Sequence, residues 1–183
     1  MSKKTIISLG LDLSLVNSGI VLLENGKIIK QKSIKSKPVG DKPIDELKRI
    51  QKIVSEIEDI VSEYNPTISV IEGMAYMVTK TSSLVQLGAL NYFTRAMLAD
   101  YNIPFILVAP TTLKKFITGK GNADKEVLMM MVYRDYKEQI LDNNLVDGFA
   151  LSLIGAALLG EPVRKETIPQ QEVIKLLKKQ LQI

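Results

Sequence analysis

The dipeptide Asn25-Gly26, set between apolar-rich runs over 19–24 and 27–34, restricts this chain more than any other feature. Asn-Gly tolerates the positive backbone angles of a two-residue hairpin, so the flanking runs fold back as antiparallel strands. A run from Thr5 to Leu11 precedes them, and the three together form an antiparallel meander. Beyond the loop from Lys35 to Pro43, Leu47, Ile50, Val54, Ile57 and Val61 recur at helical spacing on one face. Asn65-Pro66 stops that helix, and Thr67 to Ile71 reads as a short buried strand running into Glu72. The order strand, helix, strand implies a crossover connection.

Downstream, Thr81 to Ser83 caps a helix extending to about Asp100, whose Gly88, Ala89, Ala96 and Ala99 permit close approach by another element. Ile103 to Val108 is the next strand, and Pro110 to Phe116 a short helix. The flexible Thr118 to Gly121 leads to a helix from about Asp124 to Lys137, in which Met129, Met130 and Met131 fill core space. A last core helix follows Asn144 and runs to Leu159. Three antiparallel strands, then helices alternating with two more strands, make an α/β protein: a mixed five-stranded sheet with helices on both faces. Residues 1–160 are read as one domain. After Gly160-Glu161-Pro162, residues 161–183 form a tail in which Ile174, Leu177 and Leu181 interleave with Lys175, Lys178 and Lys179, the pattern of a small amphipathic helix.

Composition narrows the chemistry. The 183 residues contain no cysteine and no histidine, which excludes disulfides, thiolate metal sites, cysteine nucleophiles and serine–histidine triads. Catalysis has to rest on carboxylates, lysines, hydroxyls or a bound metal. A net charge of +4 favours a polyanionic partner without specifying one. The start lacks a signal-peptide core and no apolar run is long enough to span a membrane, so an intracellular protein is expected.

Two acids follow buried strands: Ile6 to Leu11 runs into Asp12, and Ile68 to Ile71 into Glu72. If these strands are parallel neighbours, their spacing of about 4.8 Å brings both carboxylates to one edge of the sheet, where α/β proteins bind ligands. Two such acids repel unless a cation neutralises them, and oxygen donors select magnesium or manganese. Either acid alone is better read as a structural turn residue.

Three stretches now act together. Gly10-Leu11-Asp12-Leu13-Ser14 with Ser18-Gly19, Val70-Ile71-Glu72-Gly73, and Leu145-Val146-Asp147-Gly148-Phe149-Ala150 resemble, in order and separation, the acidic motifs of the RuvC family of Holliday-junction resolvases. Leu87-Gly88 and Gly121-Asn122-Ala123-Asp124-Lys125 resemble stretches between those motifs, so the likeness covers about Ile6 to Leu159. It implies a ribonuclease H-like fold, a homodimer acting on four-way or other branched DNA, and magnesium-dependent (or manganese-dependent) hydrolysis of phosphodiesters, in a cytoplasmic protein of bacterial or phage-type context. Asp12, Glu72 and Asp147 carry over as metal ligands and catalytic residues.

The family's fourth ligand, Asp or His, corresponds to Asn144. Residues 144 and 147 share a helix face, so position is kept while one charge is missing. Three accounts compete: Asn144 as a natural ligand of weaker affinity, compensation by Asp142, or an inactivating Asp-to-Asn replacement. A plainer reading has Asn144 as helix N-cap with Asp147 in the first turn.

Lys114, Lys115, Lys120 and Lys125 cluster around a glycine-containing loop and a helix start, both suited to phosphate; Lys80 and Arg95 extend the track more weakly. Tyr76, in the loop after Glu72, matches the position of an aromatic wedge at the junction centre in the resolvases, with core packing as the alternative. Two other functions compete: a branched-DNA-binding protein that has lost cleavage through Asn144, and an actin-like kinase or ATPase, whose first phosphate loop resembles Gly10 to Ser14. The chain is short for the second and shows no further glycine-rich phosphate motif.

Overall fold

In the computed structural model, which describes residues 5–74 and 81–181, β1 (Ile7–Asp12) pairs antiparallel with β2 (Asn17–Glu24), which pairs antiparallel with β3 (Lys27–Lys35). The β2–β3 turn has positive φ at both central residues, 48° at Asn25 and 83° at Gly26, as the hairpin requires. Helix α1 (Pro43–Tyr64) begins with Pro43, whose missing N–H is no loss in a first turn. It ends at Asn65 in the left-handed conformation, and Pro66 cannot continue it. The buried face is Ile50, Ile53, Ile57, Ile60 and Val61, with Val54 partly buried beside it; Leu47, expected on it, lies in the turn before Ile50 and is 36% exposed.

The crossover through α1 returns the chain to β4 (Ile68–Glu72), parallel to β1. Helix α2 (Thr81–Asp100) then leads to β5 (Phe105–Val108), parallel to β4, giving the order β3-β2-β1-β4-β5. Strand β5 starts later than the apolar run beginning at Ile103. The Ile103 N–H is spent on the Leu98 carbonyl at the end of α2, and Pro104 has no N–H to offer. Four helices follow: α3 (Pro110–Thr118), α4 (Lys125–Tyr136), α5 (Asn143–Leu158) and α6 (Ile168–Leu181).

Side chains alternate across a strand, and this divides the core into two layers. Leu9, Leu11, Ile20, Leu22 and Ile71 face α1 and α2. Val21, Leu23, Ile68, Val70 and Ile106 face α3 to α6, where Phe149, Leu151 and Ile154 of α5 fill the centre. Burying each such side chain contributes about 1.5–3 kcal/mol. Val173, Ile174 and Leu177 of α6 join this second layer, and Gln170 is buried against Tyr136, to whose hydroxyl it donates a 3.1 Å hydrogen bond. The final segment is thus docked on the body of the protein. Of the methionines expected in the core, Met129 and Met131 pack against it, whereas Met130 is 57% exposed.

Helix α5 lies directly on the backbones of β1 and β2, which glycine alone permits. A Cβ at Gly10 would overlap the Gly148 carbonyl, and one at Gly19 the Asn144 carbonyl. Of the small residues of α2, Ala89 packs against the α1 layer, while among the described residues nothing comes within 4 Å of a Cβ placed at Gly88. No helix among the described residues is long and apolar enough to cross a membrane.

Candidate active site

Strand alternation decides where the acids point. Ser8, Gly10 and Asp12 occupy the α5 face of β1, and Ile68, Val70 and Glu72 the same face of β4. Because β1 and β4 are parallel and in register from Ser8 with Ile68 to Leu11 with Ile71, their terminal acids emerge side by side. The close seating of α5 brings its first turns, with Asn144 and Asp147, over the same edge. Asp12, Glu72, Asn144 and Asp147 line one open cleft of about 310 Å³, together with Ser14, Lys114 and Lys125 and the apolar Pro110 and Leu113. Ser14 belongs to the first motif and Pro110 and Leu113 to the predicted short helix, but nothing in the sequence marked them as lining the site.

Electrostatics in the cleft are those of crowded acids. Burial, followed by the charge of Asp147, raises Asp12 from 3.8 to about 6. Burial, followed by the charges of Asp12 and Asp147, raises Glu72 from 4.5 to about 8. The interaction between the two carboxyl groups lowers Asp12 and raises Glu72, so that of the pair Glu72 is the one that favours keeping a proton. Asp147 is also raised by burial, and Lys125 and Lys114 oppose that shift. The Lys125 ammonium lies 3.4 Å from the Asp147 carboxylate.

Among the described residues, no three acids are drawn together tightly enough to form a finished cation cage, Asp147 being turned to Lys125. The donor chemistry nevertheless fits a hard divalent cation. It offers three buried or half-buried carboxyl groups held against their mutual repulsion and one neutral amide, a set that selects magnesium or manganese over softer ions.

Asn144 is not the helix cap. Asp142 is: its carboxylate accepts from the backbone N–H groups of Asn144 at 2.9 Å and Leu145 at 3.4 Å. Its other oxygen accepts from the Asn17 amide at 3.0 Å and the Ser33 hydroxyl at 2.9 Å. Burial pushes Asp142 up, but these bonds outweigh it and hold the carboxyl below its usual range. Asp142 is therefore committed to the cap and does not line the cleft, so compensation by Asp142 is not what the structure displays. An aspartate just ahead of an apolar run is a cap signal that the sequence offered. The Asn144 side-chain N–H donates to the Asn17 carbonyl at 2.7 Å, and its amide oxygen accepts no hydrogen bond among the described residues.

The expected phosphate contacts separate. Lys114 and Lys125 are at the cleft. Lys115, one residue along α3, faces α6 and pairs with Glu172 at 2.8 Å. Lys120 is exposed in the loop after α3 and does not line the cleft. Arg95 lies over the Tyr92 ring, 3.9 Å from its centre, on α2 in the opposite layer. Tyr76 and Lys80 lie outside the described residues.

A sheet of order β3-β2-β1-β4-β5 with acids at the ends of its central parallel strands and on the helix crossing them defines a protein of ribonuclease H-like fold. Comparison with known proteins gives its family. The sequence model of crossover junction endodeoxyribonuclease RuvC matches residues 8–154. The crossover junction endodeoxyribonuclease RuvC of Rickettsia typhi is 30% identical over 127 residues, which cover 69% of this chain and 80% of that protein. The RuvC of Chloroherpeton thalassium is 30% identical over 111 residues, 58% of each chain. The chain belongs to the RuvC family of crossover junction endodeoxyribonucleases. Its fold is similar to Thermus thermophilus RuvC, with a TM-score of 0.69 at 17% identity over 85% of this chain and 98% of that one. It is likewise similar to T. thermophilus RuvC in complex with Holliday junction substrate, with a TM-score of 0.70 at 15% identity over 85% and 97%.

Proposed function

We propose that this protein is an intracellular, structure-selective endonuclease that cleaves four-way DNA junctions, and related branched DNA, by divalent-metal-assisted hydrolysis. The observation that carries the reading is the meeting of Asp12, Glu72 and Asp147 in one cleft of a RuvC-family chain. Asp12, Glu72 and Asp147, with the free amide oxygen of Asn144, would hold magnesium or manganese. A bound ion would supply charge stabilisation for the phosphodiester transition state and ease deprotonation of the attacking water.

The chain's own groups do the rest. Lys114, on the cleft wall, binds a phosphate oxygen and orients the backbone, as does Lys125 once it leaves Asp147. Lys120 extends the phosphate contacts from the adjoining loop, and Tyr76 stacks at the junction centre. Pro110 and Leu113 make one wall apolar and limit water there. Glu72, raised to about 8, is the group most able to hold a proton at neutral pH and release it when a cation arrives.

Two copies acting together would place two clefts on one junction. Helix α2 supplies a surface for such pairing. Val85, Gly88, Ala89, Tyr92, Ala96 and Ala99 fall on one helical stripe, with Val85 and Tyr92 each 68% exposed and Gly88 open. Asn144 does not favour a non-cleaving reading, because its amide is built into the fold and its oxygen remains a neutral donor.

The deciding variants are Glu72→Gln and Asp147→Asn, assayed on a four-way junction for nicking with magnesium or manganese and for binding by gel shift. Expected is loss of nicking with binding largely kept; full nicking by either variant would remove that residue from the site.

A further inference from the structure

Helix α6 lies beyond the span matched by the family, residues 8–154, yet it is fixed to the body of the protein. Val173, Ile174 and Leu177 enter the core, and Glu172 pairs with Lys115 of α3. Near its end, Gln180 meets β5 twice: its side-chain carbonyl accepts from the Leu107 N–H at 3.3 Å and its amide donates to the Leu107 carbonyl at 3.1 Å. That two-fold bond satisfies the outward N–H and carbonyl of Leu107 on the edge strand and also fixes the height of the helix. Leu107 is in register with Ile71, the residue before Glu72, and β5 runs on into Pro110 of the cleft. The last turn of α6 is therefore level with the acid-bearing end of the sheet, in the same layer as the helices that line the cleft. Strand β5 is two strands from β1, a separation of about 10 Å.

With Gln170, Val173, Ile174 and Leu177 turned inward, Lys175, Lys178 and Lys179 are left on the outward face. All three are exposed, and none pairs with a carboxylate among the described residues; the nearby acid, Glu172, is already neutralised by Lys115. Complementing the helix dipole accounts for basic residues in the last turn, Lys178 and Lys179, but not for Lys175.

We propose that the outward face of α6 is a second DNA-binding surface, which takes the phosphate backbone of a duplex arm as it leaves the cleft. The proposal rests on the DNA-cleaving reading above for its ligand, and on the docking of α6 for its geometry. Three lysines that each neutralise a phosphate add about 2 to 3 to the steepness with which log affinity falls against log salt concentration.

The test is salt-dependent binding of a four-way junction and of a linear duplex. Wild type is compared with Lys175→Gln/Lys178→Gln/Lys179→Gln and with a charge-matched control on the far layer and its approach, Lys37→Gln/Lys48→Gln/Lys52→Gln. All six positions are exposed, and thermal melting confirms that each variant is folded. Expected is a slope shallower by about 2 to 3 for the α6 variant, with the control close to wild type. An unchanged slope, or an equal loss in the control, overturns the proposal. So does binding to phosphatidylserine vesicles that is lost in the α6 variant while its DNA slope is unchanged, since the face would then serve a lipid surface. If wild type binds linear duplex as well as junction, and the α6 variant loses slope on both, α6 stands as a DNA surface while the junction-selective reading fails.

Discussion

Asn144 and Glu72 show how single residues set the properties of the cleft. The Asn144 amide donates to the Asn17 carbonyl. A carboxylate in its place has no proton to give and sets oxygen against oxygen. Asn144→Asp is therefore expected to destabilise the chelated protein by about 1–3 kcal/mol, measured by urea unfolding; equal stability would show that the amide bond contributes nothing. Glu72 and Asp12 keep protons up to about pH 8 and 6 in the folded chain, against 4.5 and 3.8 for the free groups. The folded state then binds more protons than the unfolded one between those limits. The contribution of these two groups to the stability of the chelated protein is full below about pH 4, falls as pH rises through 6 and is gone above about 8. Glu72→Gln removes the larger part of that loss, and is expected to be more stable than wild type at pH 8.5 by on the order of 2–4 kcal/mol in chelator. A pH-independent denaturation midpoint in wild type would contradict this. Asp12 and Glu72 were legible as a pair because each ends an apolar strand. The bonds of Asp142 to Asn17 and Ser33, beyond its local cap, and the pairing of Lys115 with Glu172 were not, because those partners are distant in sequence.

Among the elements, α5 is the one that assembles the cleft, and it does so by lying on two glycines. Gly19→Ala would drive a methyl group into the Asn144 carbonyl, displacing the turn that carries Asn144 and Asp147. We expect a loss of about 3 kcal/mol in unfolding free energy; a loss below about 1 kcal/mol would show that α5 can retreat from the strand. The stripe on α2 makes a prediction of another kind. Tyr92→Glu, at a position 68% exposed, should leave the melting of the isolated subunit nearly unchanged and shift the mass measured by light scattering from dimer to monomer. A dimer of undiminished stability would assign the pairing surface elsewhere. The small residues of α2 were visible in the sequence as a surface for close approach. That no described residue fills the space at Gly88 could be learned only from the packing.

For the whole molecule, the order of strands and helices followed from local signals: one hairpin turn, one amphipathic helix between two buried strands, and proline or asparagine at the boundaries. Local signals fail where an element's role depends on distant contacts. The start of β5 is set by Ile103 bonding back to α2, and the amphipathic pattern of α6 does not say where the helix lies until Gln180 is seen on Leu107 and Leu177 in the core. The central claim is that this assembly forms one metal-dependent nuclease centre. It is tested most directly by incubating the purified chain with a labelled four-way junction and, separately, a linear duplex of the same sequence, in magnesium, manganese or chelator. Nicks in two strands of the junction, dependent on the divalent ion and absent from the duplex, are the predicted result. Tight junction binding without a nick in either metal would contradict the account.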